Sequence, residues 1–177
     1  IKTINNQSLL GSGNIDIQGG GGKAIKAGRG ISVTTGATAY TVSFNLPISA
    51  GTGTNSIIEG DAANNASGRL AHAEGQNTTA SGRFSHAEGN GTAANGNGAH
   101  TEGDSTSATS YAHAEGRYTS AGGNYSHAEG YYTQTHNQSE HASGQYNVSS
   151  NPSFSFGNSG NTLFSVGNGT AEDARHN

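Results

Sequence analysis

Histidine and glutamate carry most of the chemistry in this chain, and they recur in step. His72, His86, His100, His113 and His127 each stand two residues before a glutamate, at Glu74, Glu88, Glu102, Glu115 and Glu129, and His141 keeps the phase with Ser143 in the glutamate's place. An imidazole beside a carboxylate can relay a proton, orient a nucleophile or hold a metal ion. The spacing argues against all three within one stretch of chain. One histidine per copy lacks the His-x-His or His-Glu-x-x-His arrangement that converges ligands locally, and only a three-fold axis would gather three imidazoles. Neighbours such as Ser126-His127 alternate to opposite faces of a strand, so they are not a nucleophile and its base. No acid pair, metal set or triad emerges, and the expectation is a protein that is not an enzyme, with no catalytic, cofactor or metal site.

The elements that hold these residues follow from the period. The phrase Ser-His-Ala-Glu-Gly, cleanest at Ser85–Gly89 and Ser126–Gly130, closes on Gly60, Gly75, Gly89, Gly103, Gly116, Gly130 and Gly144, at spacings of 15, 14, 14, 13, 14 and 14 residues. Such copies are too short for a helix-turn-helix repeat, and their Gly, Ser, Thr and Asn are poor helix formers. Two short strands and two corners per copy fit, as coils of a solenoid. Thr78, Thr92, Thr106, Thr119 and Thr133 form one column, and Ala80, Ala94, Ala108 and Ala121 another. Gly68, Gly82, Gly96 and Gly123 mark the second corner and are expected to take positive φ there. Period-two alternation puts Phe84, His86 and Glu88 on one side of a strand and Ser85, Ala87 and Gly89 on the other. Small residues suit the inside of a narrow roll, so the His and Glu columns face outward, to solvent or a neighbouring subunit. The favoured reading of the histidines is hydrogen-bonded packing at a subunit interface, ahead of an exposed column and of metal binding. Protonating Glu74, Glu88, Glu115 and Glu129 is then expected to make assembly sensitive to acid.

Composition agrees with an elongated object. Only 30% of the 177 residues are hydrophobic and 29 are glycine, too little apolar matter for a large core, yet the in-phase columns argue against disorder. Cys, Met and Trp are absent, which excludes disulfides and thiol chemistry. The start at Ile1 reads as a processed or excised piece of something longer, without a signal-peptide pattern. No stretch is apolar enough to insert into a membrane. Residues 51–177 carry eleven acidic and four basic side chains, which argues against nucleic acid as a partner. Three domains are expected: an intertwined N-terminal β segment over 1–52, a roll over 53–147 and a C-terminal cap over 148–177. The first contains two hairpin-like passages, one over Ile4–Ile17 about a Gly-Ser-Gly turn and one over Ile31–Leu46 about Gly36, separated by a flexible Gly19–Gly22 joint. In the last, Phe154, Phe156, Leu163, Phe164 and Val166 form an apolar cluster read as a β cap, and 168–177 reads as a polar, loose tail.

Tyrosines add a pattern of their own. Tyr118, Tyr132 and Tyr146 each follow a closing glycine by two places, with Tyr131 alongside, while Tyr111 and Tyr125 continue a column begun by Leu70 and Phe84. Ladder stacking along the solenoid is the favoured account. Tyr118, Tyr131, Tyr132 and Tyr146 are also candidate receptor-binding residues, since a Tyr stripe among polar neighbours suits glycan or protein recognition.

Phe84-Ser85-His86-Ala87-Glu88-Gly89 is similar to the Asn-Ser-Val-Ala-Ile-Gly phrase in the heads of trimeric autotransporter adhesins, with His and Glu where that family has Val and Ile. His-Ala-Glu-Gly versions resemble phage tail-fibre and appendage proteins. Ile4–Ile17 resembles a segment near tail-fibre tips, and Phe164–Thr170 resembles the junction before a C-terminal self-cleaving chaperone domain, which would make Asn177 a candidate cleavage boundary. The resemblance implies an all-β, homotrimeric, left-handed parallel β-roll of about 14 residues per coil, with the His–Glu columns at the trimer interface. It implies a structural and receptor-binding part of a virion tail fibre or appendage that attaches to a host glycan or protein. The alternatives are a bacterial surface adhesin head and a tail-spike polysaccharide depolymerase.

Overall fold

Coils of about fourteen residues close only around a narrow interior, and the computed structural model shows how small side chains make that closure. It describes residues 48–149 and 158–177, with four strands before them. The chain divides into two compact units, Ile1–Asn45 and Leu46–Asn177. In the first, Ile31–Thr35 pairs antiparallel with Tyr40–Phe44, Val33 opposite Val42, which is the second hairpin expected from sequence. Thr3–Ile4 pairs with Gln7–Ser8. That pair is not the expected Ile4–Ile17 hairpin, whose Gly-Ser-Gly turn lies outside the described residues, as do the Gly19–Gly22 joint, Phe154 and Phe156.

The second unit is a parallel β-solenoid of two facing sheets, and no helix occurs among the described residues. The larger sheet begins with Ile48–Ala50, antiparallel to Ile57–Gly60. From there every pairing is parallel, through His72–Gly75, His86–Ala87, His100–Thr101, His113–Arg117, His127–Tyr131, His141–Gln145 and Phe164–Asn168. The smaller sheet stacks Asn65–Ala66, Thr79–Ala80, Ala93–Ala94, Ser107–Ala108, Ser120–Ala121 and Gln134–Thr135. Register is strict: His86 lies opposite both His72 and His100, and Ala94 opposite both Ala80 and Ala108.

Most coils turn four small side chains inward. In the second coil these are Thr78, Ala80, Ser85 and Ala87, all buried. The same places recur as buried columns along the stack, so the core is a rod of alanine, threonine and serine. No single side chain here buries much apolar area, and the coil-to-coil backbone ladder supplies the continuous pairing that each short strand lacks alone. Gly89, expected to face inward with Ser85 and Ala87, is exposed at the corner, because the strand ends at Ala87.

The corners correct a further expectation. Gly68, Gly82, Gly96 and Gly123 do not take positive φ; in the corner they occupy it falls on Leu70, Phe84, Gly98, Tyr111, Tyr125 and Ser139, with φ of 55–62°. The glycine is needed there for space, since a Cβ on Gly82 would lie 1.8 Å from the carbonyl oxygen of Gly96. The closing glycines need both space and conformation: Gly89 has φ +103°, and a Cβ on it would lie 2.1 Å from the oxygen of Gly103. Length differences are absorbed at the corners. The coil ending at Gly116 omits the second-corner glycine and passes through Thr109 and Ser110 instead. The coil ending at Gly75 carries its extra residue before Asn64, whose side chain enters the Thr column and accepts from the Thr78 N–H at 2.9 Å.

At the far end, Phe164–Asn168 adds one more parallel rung on His141–Gln145, with Phe164 opposite His141 and Val166 opposite Ser143. The polar tail beyond it is pinned, contrary to the loose segment expected. Arg175 Nη1 donates to the Tyr132 carbonyl at 2.7 Å, the His176 N–H to that of Tyr146 at 3.2 Å, and Asn177 exchanges two bonds with the Val148 backbone at 2.8 and 2.9 Å.

Candidate functional site

Parallel register turns one histidine and one glutamate per coil into two continuous ladders on the outer face of the larger sheet. Ala73, Ala87, Ala114 and Ala128 point inward, so His and Glu on either side of each point outward, half-exposed. The rings of His72, His86, His100, His113 and His127 stack with centroids 4.7–5.0 Å apart and planes within 11° of parallel. Beside them the carboxylates of Glu59, Glu74, Glu88, Glu102, Glu115 and Glu129 line a groove of about 860 Å³ over the closing glycines.

The two ladders interact within a single chain. His86 Nε2 lies 3.7 Å from Glu74 and 3.9 Å from Glu88, and the pattern continues at 3.9 Å for His113–Glu102, 3.8 Å for His127–Glu115 and 3.5 Å for His141–Glu129. These separations exceed hydrogen-bond range. The Nε2 atoms of His72, His86, His100, His113 and His127 are shielded from solvent and have no hydrogen-bond partner.

Like groups stacked at one strand spacing cannot all be charged, and the carboxylates resolve this by sharing protons. Hydrogen bonding to Glu74 and Glu102, with partial burial, pushes Glu88 up to about 7. Glu115, between Glu102 and Glu129, is likewise pushed up to about 7. Glu74 and Glu102, which accept those bonds, are held below the usual carboxylate range. Desolvation, reinforced by neighbouring imidazoles, lowers His86, His113 and His127, which favours the neutral form of these three rings. The acid response expected from Glu74, Glu88, Glu115 and Glu129 is thereby divided within one chain: Glu88 and Glu115 already hold protons near neutrality, Glu74 keeps its charge to lower pH, and acid must charge the lowered His86, His113 and His127.

Both ladders end in apolar side chains. Ile57 stands opposite His72 and Phe164 opposite His141 in the histidine column, while Ile48 precedes Glu59 and Val166 follows Ser143 in the glutamate column. All four are about half-exposed or more, from 47% for Ile57 to 65% for Phe164.

The tyrosines form two ladders at opposite corners. Tyr111 and Tyr125 stack at 5.3 Å, and Phe84 in the same column lies under the guanidinium of Arg83 at 5.5 Å. At the other corner Tyr118, Tyr132 and Tyr146 stack at 4.6 and 4.9 Å, Tyr131 meets Tyr132 edge-on at 4.8 Å, and Arg117 and Arg175 lie over Tyr118 and Tyr146. The four candidate receptor residues are thus one aromatic cluster.

Sequence reasoning missed two features. Glu140 occupies the inward serine place and is fully buried, its Oε2 accepting from the backbone N–H groups of His136 and Asn137 at 2.9 Å and from Ser149 Oγ at 2.9 Å. It stands immediately before His141, where other copies have Ser or Ala, and that exception was the available signal. The second is convergence between coils: His72, Glu74 and His86 bring one ligand atom each within 4.8 Å of one another, as do three further His–Glu triads. No family model, curated protein or solved structure matches the chain. No helix among the described residues is long and apolar enough to cross a membrane.

Proposed function

We propose that the chain is the structural and receptor-binding shaft of a phage tail fibre or related appendage, assembled as a homotrimer through the His–Glu face and attaching to a host-surface glycan or protein. The observation that carries this reading is that face itself: a continuous double ladder with unpartnered imidazole nitrogens, bracketed by exposed Ile48 and Ile57 at one end and Phe164 and Val166 at the other. Apolar ends around a half-desolvated polar centre suit burial against copies of the same chain, and three copies would complete the partners each face lacks. The Tyr118–Tyr131–Tyr132–Tyr146 cluster offers amphipathic rings to a receptor on another side of the coil.

Sedimentation equilibrium of the full chain tests assembly: a trimer at micromolar concentration is expected, and a folded monomer overturns it. Attachment is tested by binding of the labelled protein to a panel of bacterial cells, compared with a Tyr132→Ala/Tyr146→Ala variant. A drop of tenfold or more with unchanged assembly supports the cluster as the contact, and undiminished binding refutes it.

A further inference from the structure

The histidine and glutamate ladders that carry the assembly reading also bring ligand atoms together within one chain. We propose that they bind divalent transition-metal ions of the zinc class, two per chain, in sites built between successive coils. The donor set is the first argument. Two triads offer two imidazoles and one carboxylate, His72–Glu74–His86 and His86–Glu88–His100. Two offer one imidazole and two carboxylates, Glu102–His113–Glu115 and Glu115–His127–Glu129. Mixed imidazole and carboxylate ligation suits Zn²⁺, Co²⁺ and Ni²⁺, whereas Mg²⁺ and Ca²⁺ favour all-oxygen sets.

Geometry is the second argument. Donor atoms around a tetrahedral ion with bonds of about 2.0–2.2 Å lie roughly 3.4 Å apart. The shortest His–Glu separation in each triad, 3.7–3.9 Å, needs to close by only a few tenths of an ångström to meet that spacing, while the longest edge, up to 4.8 Å, must close by more than an ångström through side-chain rotation. Stacked imidazoles present their Nε2 lone pairs side by side, and a turn of each ring about χ2 directs two of them at a shared ion. The third argument is the Nε2 atoms themselves, five of them withdrawn from water and without a hydrogen-bond partner. A buried acceptor in that state costs free energy until something coordinates it.

Shared residues and ion repulsion set the stoichiometry. The first two triads share the Nε2 of His86 and the last two share Glu115, and two divalent ions one coil apart repel, so one ion is expected in each half of the ladder. The half around Glu115 balances the charge of a divalent ion and is expected to bind more tightly.

The test is isothermal titration of the chelator-treated full chain with Zn²⁺, repeated with Co²⁺ to read coordination from its visible absorption. Two equivalents per chain are expected for the parent, one for His86→Gln, one for Glu115→Gln and none for the double variant. His136→Ala, off the ladder, is expected to keep two. Thermal melts of each variant without metal establish folding, and if His86→Gln does not fold, His72→Gln/His100→Gln replaces it with the same expected loss of one ion. Absence of binding by the folded parent, or stoichiometry unchanged in the ladder variants, overturns the proposal. Sedimentation of the same samples separates it from the trimer reading: a monomer that binds two ions supports these sites alone, and a trimer that binds none refutes them alone.

Discussion

The two sheets of the solenoid are built alike inside and unlike outside. Both run parallel in strict register, and both turn a column of buried alanine inward, Ala73, Ala87 and Ala114 from one and Ala80, Ala94 and Ala108 from the other. Outward, the smaller sheet presents Asn65, Thr79, Ala93, Ser107, Ser120 and Gln134, an uncharged column that changes from coil to coil. The larger sheet repeats His and Glu almost without exception. Closing and stacking a coil therefore demands small residues inside but no particular residue outside. The repetition on the larger sheet needs a separate cause, which the proposed subunit contacts and ion sites supply.

Equivalence of the interiors is the part of this comparison with the largest energies behind it. Ala87→Leu and Ala94→Leu each push extra methylenes into a rod without slack, and each is expected to cost about 1–3 kcal/mol or more. Denaturant melts giving one large and one negligible loss would break the symmetry of the two inner columns.

Titration should sharpen the difference between the outer faces, because only one of them titrates. In the folded chain His86, His113 and His127 are lowered from 6.5, so their contribution is present above that value and is lost as pH falls through their folded values. Glu88 and Glu115 are raised from 4.5 to about 7, so theirs is full below 4.5 and is lost as pH rises through about 7. A Glu88→Gln/Glu115→Gln variant of the metal-free protein removes only the second effect. Its melting temperature relative to the parent is expected to fall progressively from pH 8 to pH 5, and parallel profiles would refute proton sharing along the ladder.

Smallest is the outer column of the second sheet. Ser107→Ala removes one half-buried hydroxyl bonded to Ser120 Oγ at 3.1 Å and should change stability by about 0.5 kcal/mol or less. A larger loss would mean that this face also does more than stack.

The sequence carried the coil and its faces clearly, because period and alternation are properties of spacing alone. Ser85 and Ala87 could be placed inside and His86 and Glu88 outside from a single copy, and Thr78 and Ala80 were recognised as columns without a face. The corners were less legible: a glycine kept for space, such as Gly82, looks the same in sequence as one kept for conformation, and Phe84 in a left-handed turn gives no sign of it. The pinned tail depends on Arg175 reaching the Tyr132 carbonyl, 43 residues back, which no local pattern records. Nor could motif spacing reveal the His–Glu triads. Their members are separated by a whole coil and meet only through register.

Coils of 13, 14 and 15 residues coexist in one stack because the surplus or deficit is taken up at corners, leaving every rung aligned. In genetic terms each coil is a whole number of codons that encodes the same inward and His–Glu positions as its neighbours. Recombination between misaligned copies deletes or duplicates complete coils, keeps the reading frame and extends both outer ladders in phase. Such a gene can lengthen or shorten its product by one strand spacing at a time, so the reach of the molecule is open to selection independently of its two ends.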